Sequence, residues 1–329
     1  MAPAKWTVMN KLDMSLDKLV DAYLVYQRAA GRSPKTVSWY GQTLRVFFRE
    51  YLPAKAPEAA ALGDLLDREL LRGYSVWLQE EHVRYGGHPN QRPGGRVTSS
   101  CRAGYVRSLH AFLHWLYREE YVDQDPARWL PPVKERAKAI EILSEEEIRK
   151  LLGRCDLKTV MGARNYCLLG LMLDAGLRLS EAAALKIGDV HEGYVKVLGK
   201  GDKERVAPIG AALQRAMLRY QALRPEPRIP TERLFLTDDG LPLGADAVAR
   251  MVKRVGKAAG IQRLHPHLLR HTGATRMLMA GADSLTVQQI LGHTTLEMTR
   301  RYTHLAAAHI RAEHRRFSPV DNLLFGAGK

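Results

Sequence analysis

Only three of the 329 residues are cysteine (Cys101, Cys155 and Cys167). An odd number without CxxC or metal-ligand spacing is consistent with reduced thiols and indicates no cysteine chemistry. No apolar run approaches the ~18 residues that a membrane-spanning helix requires, so no membrane partner is expected. The opening string MAPAKWTVMNKLDMS lacks the apolar segment of a secretory signal, which makes the cytoplasm the expected location. A P-loop is also missing: Gly199-Lys200-Gly201-Asp202 has neither the spacing nor the Ser or Thr. His267 and His271 stand at i and i+4, as in a helical zinc pair, but position 268 is leucine and no carboxylate cluster accompanies them. No metal and no cofactor are therefore expected. Internal repeats and low-complexity tracts are absent.

Charge is present in excess and of one sign. Fifty Lys and Arg against 35 Asp and Glu give a net charge of +15. Residues 1–133 hold 18 basic and 14 acidic side chains (+4), and residues 134–329 hold 32 and 21 (+11). Such a surplus favours a polyanionic partner, most simply DNA, whose binding releases counterions.

The first 130 residues read as a helical bundle. Leu16, Leu19, Val20, Tyr23 and Leu24 form one apolar stripe. Val37, Tyr40, Leu44, Phe47, Phe48 and Tyr51 repeat it after Pro34, near a helix start. A third helix is expected over about 64–84, and a fourth presents Tyr105, Leu109, Phe112, Leu113 and Leu116. Between these last two, residues 85–96 are too rich in Gly and Pro for a regular element. Residues 131–143, opening on two prolines, read as a linker. Ser144-Glu145-Glu146-Glu147 is a capping box opening a second domain over 144–329. Within it, Arg164 to Asp174 reads as a buried helix. Two β-like runs, 194–198 and 204–208, flank a glycine-rich turn, with Leu234-Phe235-Leu236 as a candidate third strand. Helices are expected at 245–259, 266–280, 284–291, 294–303 and 305–314. The fold class expected is mainly α (α+β), with one small antiparallel sheet.

Four strings in the second half carry candidate chemistry: GLRLSEAAAL, GKGDKERVAPIG, HPHLLRHTGAT and LGHTTLEMTRRYTH. A phosphodiester under attack gathers negative charge on its non-bridging oxygens, and planar, permanently charged donors stabilise it best. Arg178, between two leucines and before a Ser180-Glu181 helix start, is awkward unless it faces a polar cleft. Arg270 follows His267 by three residues and shares its helix face. A departing alkoxide needs a proton, which Lys200 at a glycine-flanked turn could supply, with Lys203 as competitor. A tyrosine nucleophile, with a solution pKa near 10, needs a base or an electropositive pocket, and His267 and His293 suit that task. Tyr302, Tyr194, Tyr220 and Tyr166 are the candidate nucleophiles.

In this order and spacing the four strings resemble the tyrosine recombinase (phage integrase) family, among its branches the Xer-type and mobile-element integrases. The resemblance extends over roughly residues 15–305. The N-terminal G-x-S-x-x-T signature is present as Gly31-Arg32-Ser33-Pro34-Lys35-Thr36. It implies a core-binding domain over 1–130 and a catalytic domain over 144–329, with a tail from about 305 that docks on a neighbouring protomer. The LGH…Y-T-H arrangement selects Tyr302 as nucleophile, and the hairpin motif selects Lys200 as general acid. Arg178 and Arg270 are then expected on the non-bridging oxygens, with His293 adding a hydrogen bond and His267 assisting proton transfer. Glu181 is expected to orient Arg178, and His271 to hydrogen-bond or pack locally. Arg32, Lys35, Thr36, Arg92, Arg96, Lys203 and Arg205 are expected DNA contacts.

The activity implied is site-specific recombination of double-stranded DNA through a 3′-phosphotyrosine and a Holliday junction. The partners implied are a specific recombination site and a homo-tetramer on two sites, with a second recombinase or accessory protein left open. The rival readings are a type IB topoisomerase, which shares the chemistry but religates the original strand, and a DNA-binding protein with a silent site.

Overall fold

The computed structural model describes residues 14–83, 95–133, 141–199 and 204–292. The chain divides into two compact units at Lys138/Ala139.

In the first unit, α1 (Leu16–Ala29) buries Leu16, Leu19 and Tyr23, three members of the stripe read from the sequence. Helix α2 (Pro34–Arg45) starts where Ser33 Oγ accepts the Thr36 N–H at 3.2 Å, with Pro34 in the first turn. It runs on without a break into a π-helical turn, Val46–Tyr51, and then a short α3 (Leu52–Lys55). The wider turn buries Val46, Phe47, Phe48 and Tyr51 together. The helix expected over 64–84 begins later. A 3₁₀ turn spans Leu62–Leu66, and α4 (Arg68–Glu80) starts at Asp67, whose carboxylate accepts the Glu69 and Leu70 N–H groups. Helix α5 (Ser99–Arg118) follows a Thr98 cap.

Aromatic side chains fill the centre. Tyr23 meets Phe112 edge-on at 5.4 Å, and Phe47 meets Tyr74 at 4.9 Å. Edge-to-face geometry adds to the area buried by each ring. Across α2 and α5, the Thr43 and Ser108 hydroxyls lie 2.6 Å apart, a buried polar link that fixes the rotation of one helix on the other.

In the second unit, α6 (Glu145–Gly153) opens on the capping box expected from sequence: Ser144 Oγ accepts from the Glu147 N–H, and Glu147 from the Ser144 N–H. Helix α7 (Val160–Leu173) is apolar around most of its circumference and lies buried at the centre, packed by α9 (Ala211–Leu223) and α11 (Pro266–Met279). A short α8 (Leu179–Ala184) leads to an antiparallel sheet ordered β1 (Val190–His191), β2 (Tyr194–Leu198), β3 (Glu204–Pro208). Tyr194 pairs with Pro208 and Leu198 with Glu204. Helices α10 (Ala245–Ala258) and α12 (Ser284–Leu291) are the remaining described α-helices.

The third strand is therefore Val190–His191 and not Leu234-Phe235-Leu236. That segment is buried, but other groups occupy its backbone. Leu236 N–H donates to the Tyr220 hydroxyl, while the Leu236 and Leu234 carbonyls accept from Arg164 and Arg224. Among the described residues no helix is long and apolar enough to cross a membrane. The helices expected over 294–303 and 305–314 lie outside the described residues.

Candidate active site

The site is built around the C-terminal end of α12. The last carbonyls of a helix lack intrahelical partners and carry the negative end of its dipole. Here three guanidinium groups take them in turn. Arg205 Nε donates to the Ile290 carbonyl at 3.3 Å, Arg270 Nη2 to that of Leu291 at 2.7 Å, and Arg178 Nη2 to that of Gly292 at 3.2 Å. Arg270 also donates to the Gly176 carbonyl, at the turn where α7 ends.

Two glycines make this approach feasible. Gly176 and Gly292 both adopt left-handed backbone (φ +62° and +63°), which ends α7 and caps α12. A Cβ on Gly176 would lie 2.5 Å from a Leu291 methyl, and one on Gly292 would lie 2.8 Å from Arg205 Cδ.

The arginines differ in exposure. Arg270 is only 5 % exposed, whereas the Arg178 side chain keeps 36 % of its surface. Arg178 caps α8 with Glu181 three residues on, and that carboxylate bonds it twice: Oε2 accepts the Arg178 N–H at 2.8 Å, and Oε1 accepts Nη1 at 2.7 Å. Burial alone would push the Glu181 carboxyl up. Hydrogen bonds from Arg205 and Arg178 outweigh it and hold the group below the usual carboxylate range.

His267 precedes Arg270 by one turn of α11, whose start is capped by His265 Nδ1 accepting the Leu268 N–H at 3.1 Å. The residue reaches the surface, yet its ring is partly desolvated and lies near the charges of Arg270 and Arg178, which together lower its pKa from 6.5. The shift favours the neutral ring, the form that can accept a proton. His271 is half-buried, its ring centroid 6.3 Å from that of His267. Among the described residues no group of three or more His, Cys, Asp or Glu is placed to hold a metal ion.

The structure thus brings together Arg178, Glu181, His267, Arg270 and Arg205 within one unit. Lys200, Lys203, His293 and Tyr302 lie outside the described residues, as does Arg92. Of the rival tyrosines, Tyr220 is fully buried and bonded to backbone, which removes it from contention. Tyr194 stacks on His191 in the sheet, and Tyr166 packs against the core. Arg32, Lys35 and Arg96 are exposed, and Thr36 is half-buried, its N–H and hydroxyl both on Ser33.

Arg205, one of the expected DNA contacts, has a side chain only 13 % exposed that forms a two-pronged pair with Glu181. The signal lay in the strand period: on β3 the alternation that buries Ala207 turns Arg205 inward and leaves Val206 outside.

Three positive groups and one carboxylate leave this cluster at a net +2, with His267 neutral beside it. Such a cluster can hold an oxyanion and pass a proton. The phage integrase family model matches residues 141–309. The XerD tyrosine recombinase of Staphylococcus aureus is 31 % identical over 311 residues, covering 92 % of this chain and 99 % of that one. Two solved structures share the fold. One is the Tn1549 transposon integrase in complex with transposon right end DNA (TM-score 0.70, 18 % identity, 93 % of this chain and 100 % of that one). The other is a lambda integrase tetramer bound to a Holliday junction (TM-score 0.66, 16 % identity, 90 % and 82 %). The chain belongs to the phage integrase family, the tyrosine site-specific recombinases.

Proposed function

We propose that this recombinase cuts and rejoins duplex DNA at a specific site, with Tyr302 attacking a scissile phosphate. A 3′-phosphotyrosyl bond forms as the bond to the 5′ oxygen breaks. Lys200 protonates that oxygen and His267 takes up the phenolic proton. Arg178 and Arg270 hold the non-bridging oxygens, assisted by His293. A partner strand's 5′-hydroxyl then displaces the tyrosine, giving a Holliday junction that a second exchange resolves. The bond energy stays in the phosphotyrosine, so no cofactor enters. The observation that carries this reading is the convergence of Arg178 and Arg270 on the carbonyls at the end of α12, one residue before His293, with His267 one turn before Arg270 on α11.

The N-terminal unit would supply backbone contacts through Arg32, Lys35, Thr36 and Arg96, with Arg92 and Lys203 joining them. Assembly would be a homo-tetramer on two DNA sites, in line with the lambda integrase tetramer bound to a Holliday junction, with the tail from about 305 docked on a neighbour. A second recombinase or accessory protein is compatible with the same chemistry. Action on DNA would place the protein in the cytoplasm. Incubation with a duplex selected from a randomised pool should give SDS-resistant protein–DNA adducts and, with two sites, exchanged strands. Adducts without exchange would favour a topoisomerase, and no adduct would leave a DNA-binding protein.

Two expected results test individual roles. Lys200→Ala should slow cleavage by about 10²–10⁴-fold, the usual worth of a positioned proton donor. A 5′-bridging sulfur, which departs without protonation, should recover most of that loss. Rescue of Lys203→Ala in its place would exchange the two lysines.

For His267 the sign runs with pH. Its folded pKa lies below the unfolded 6.5, so its contribution to stability is complete above about 6.5 and falls as acid protonates the unfolded chain first. A phosphate seated on Arg178 and Arg270 should raise that pKa again, so DNA affinity should gain about tenfold per unit of rise as the pH drops through the window. An NMR titration of the His267 ring that gives the same pKa with and without DNA would contradict this.

A further inference from the structure

Glu181 carries more hydrogen bonds than orienting Arg178 requires. Oε1 accepts from Arg178 Nη1 (2.7 Å) and Arg205 Nη1 (3.0 Å), and Oε2 from the Arg178 N–H (2.8 Å) and Arg205 Nη2 (2.8 Å). Four donors use the roughly four lone-pair positions of a carboxylate. Arg205 spends three of its five N–H groups inside the protein, two on this carboxylate and one on the Ile290 carbonyl. It rises from β3 two residues after Lys203, the later of the two hairpin lysines in the sequence.

We infer that Arg205 is a positioning residue for strand cleavage. It neutralises and clamps Glu181, so that Arg178 presents its charge to the scissile phosphate, and it ties the β2–β3 hairpin to the end of α12. The inference rests on the phosphate-binding role proposed above for Arg178. Two physical effects are combined. Without Arg205 the Glu181 carboxylate would offset the Arg178 charge directly, lowering the cluster from +2 to +1. The carboxylate would also lose two of its four donors, and Arg178 the fixed partner that sets its guanidinium plane. A third consequence concerns geometry, because Arg205 lies against Gly292 and bonds the carbonyl two residues earlier. The hairpin of the general acid and the helix that precedes His293 thereby share one anchor.

The test compares wild-type protein with Arg205→Gln, Arg205→Lys, Glu181→Gln and the Glu181→Gln/Arg205→Gln double variant. Each is assayed on a duplex selected by wild-type protein from a randomised pool, for single-turnover adduct formation and for DNA affinity across salt concentrations. Arg205→Gln should slow adduct formation by about 10–10²-fold, the scale of a small misplacement of catalytic groups. Its DNA affinity and salt slope should stay at wild-type values, whereas loss of a phosphate contact would reduce the slope by about one. In the Glu181→Gln background the same change should add little, because contacting residues in one network are not additive. If Arg205→Gln does not fold, Arg205→Lys, which keeps the charge but cannot span both oxygens, reads the same rate and should show an intermediate loss.

A wild-type cleavage rate in Arg205→Gln, or a loss that comes with a shallower salt slope, overturns the inference while leaving the recombinase reading intact. Full additivity with Glu181→Gln does so too. Absence of adduct from the wild-type protein is the separate failure of the reading on which it rests.

Discussion

Replacing Tyr302 with phenylalanine should leave duplex binding intact and remove every covalent adduct. The change deletes one hydroxyl, so groups that hold DNA are untouched while the attacking oxygen is gone. A gel shift at wild-type affinity together with an empty SDS lane is the expected pair of results. Adduct on the phenylalanine variant, or a peptide map placing the link on another tyrosine, would reassign the nucleophile. Tyr220 is a poor substitute, since its hydroxyl is buried and committed to the 234–236 segment.

The second large effect is expected at Arg270. Arg270→Ala should lower the cleavage rate by about 10³–10⁵-fold, as for an arginine that stabilises the charge of a phosphoryl transition state. A stability loss should accompany it, because Arg270 also bonds the Gly176 and Leu291 carbonyls. Stranding a buried acceptor costs about 1–3 kcal/mol. Thermal unfolding and single-turnover cleavage separate the two. If cleavage falls only as far as the folded fraction does, Arg270 holds the fold and not the phosphate. Lysine should not restore the rate, since one ammonium cannot reproduce a planar fork that bonds two carbonyls and an oxyanion.

How far the site could be read from the chain depended on whether its contacts were local. His267 and Arg270 stand three apart after a proline, which makes their shared helix face readable, and α11 begins at Pro266. The Arg178–Glu181 link follows the same logic, because a carboxylate at the third position of a short helix returns to the capping residue. The β2–β3 hairpin was legible from its two β-like runs and the glycines between them.

What escaped the sequence was set by partners distant along the chain. Arg205 looked like one more cation in a basic hairpin until Glu181, 24 residues away, and Ile290, 85 residues away, were seen to hold it. The π turn at Val46–Tyr51 was hidden because the apolar pattern of 37–51 fits a plain helix nearly as well. Leu234-Phe235-Leu236 has strand composition, yet its backbone is taken by Leu185, Leu243 and the side chains of Arg164, Tyr220 and Arg224, so it pairs with no strand of the sheet.

The ring of guanidinium groups at the end of α12 also bears on how the protein is made. Arg178 meets the Gly292 carbonyl across 114 residues of sequence, Arg270 meets Gly176 across 94, and Arg205 meets Ile290 across 85. Contacts of such separation form late, because the entropy of closing long loops must be met before they contribute. A chain still emerging from the ribosome, or one halted in a partly folded state, has its arginines but not the carbonyl anchors that aim them. The arrangement that aims the three arginines is therefore expected to complete late in folding, after the long loops between them have closed.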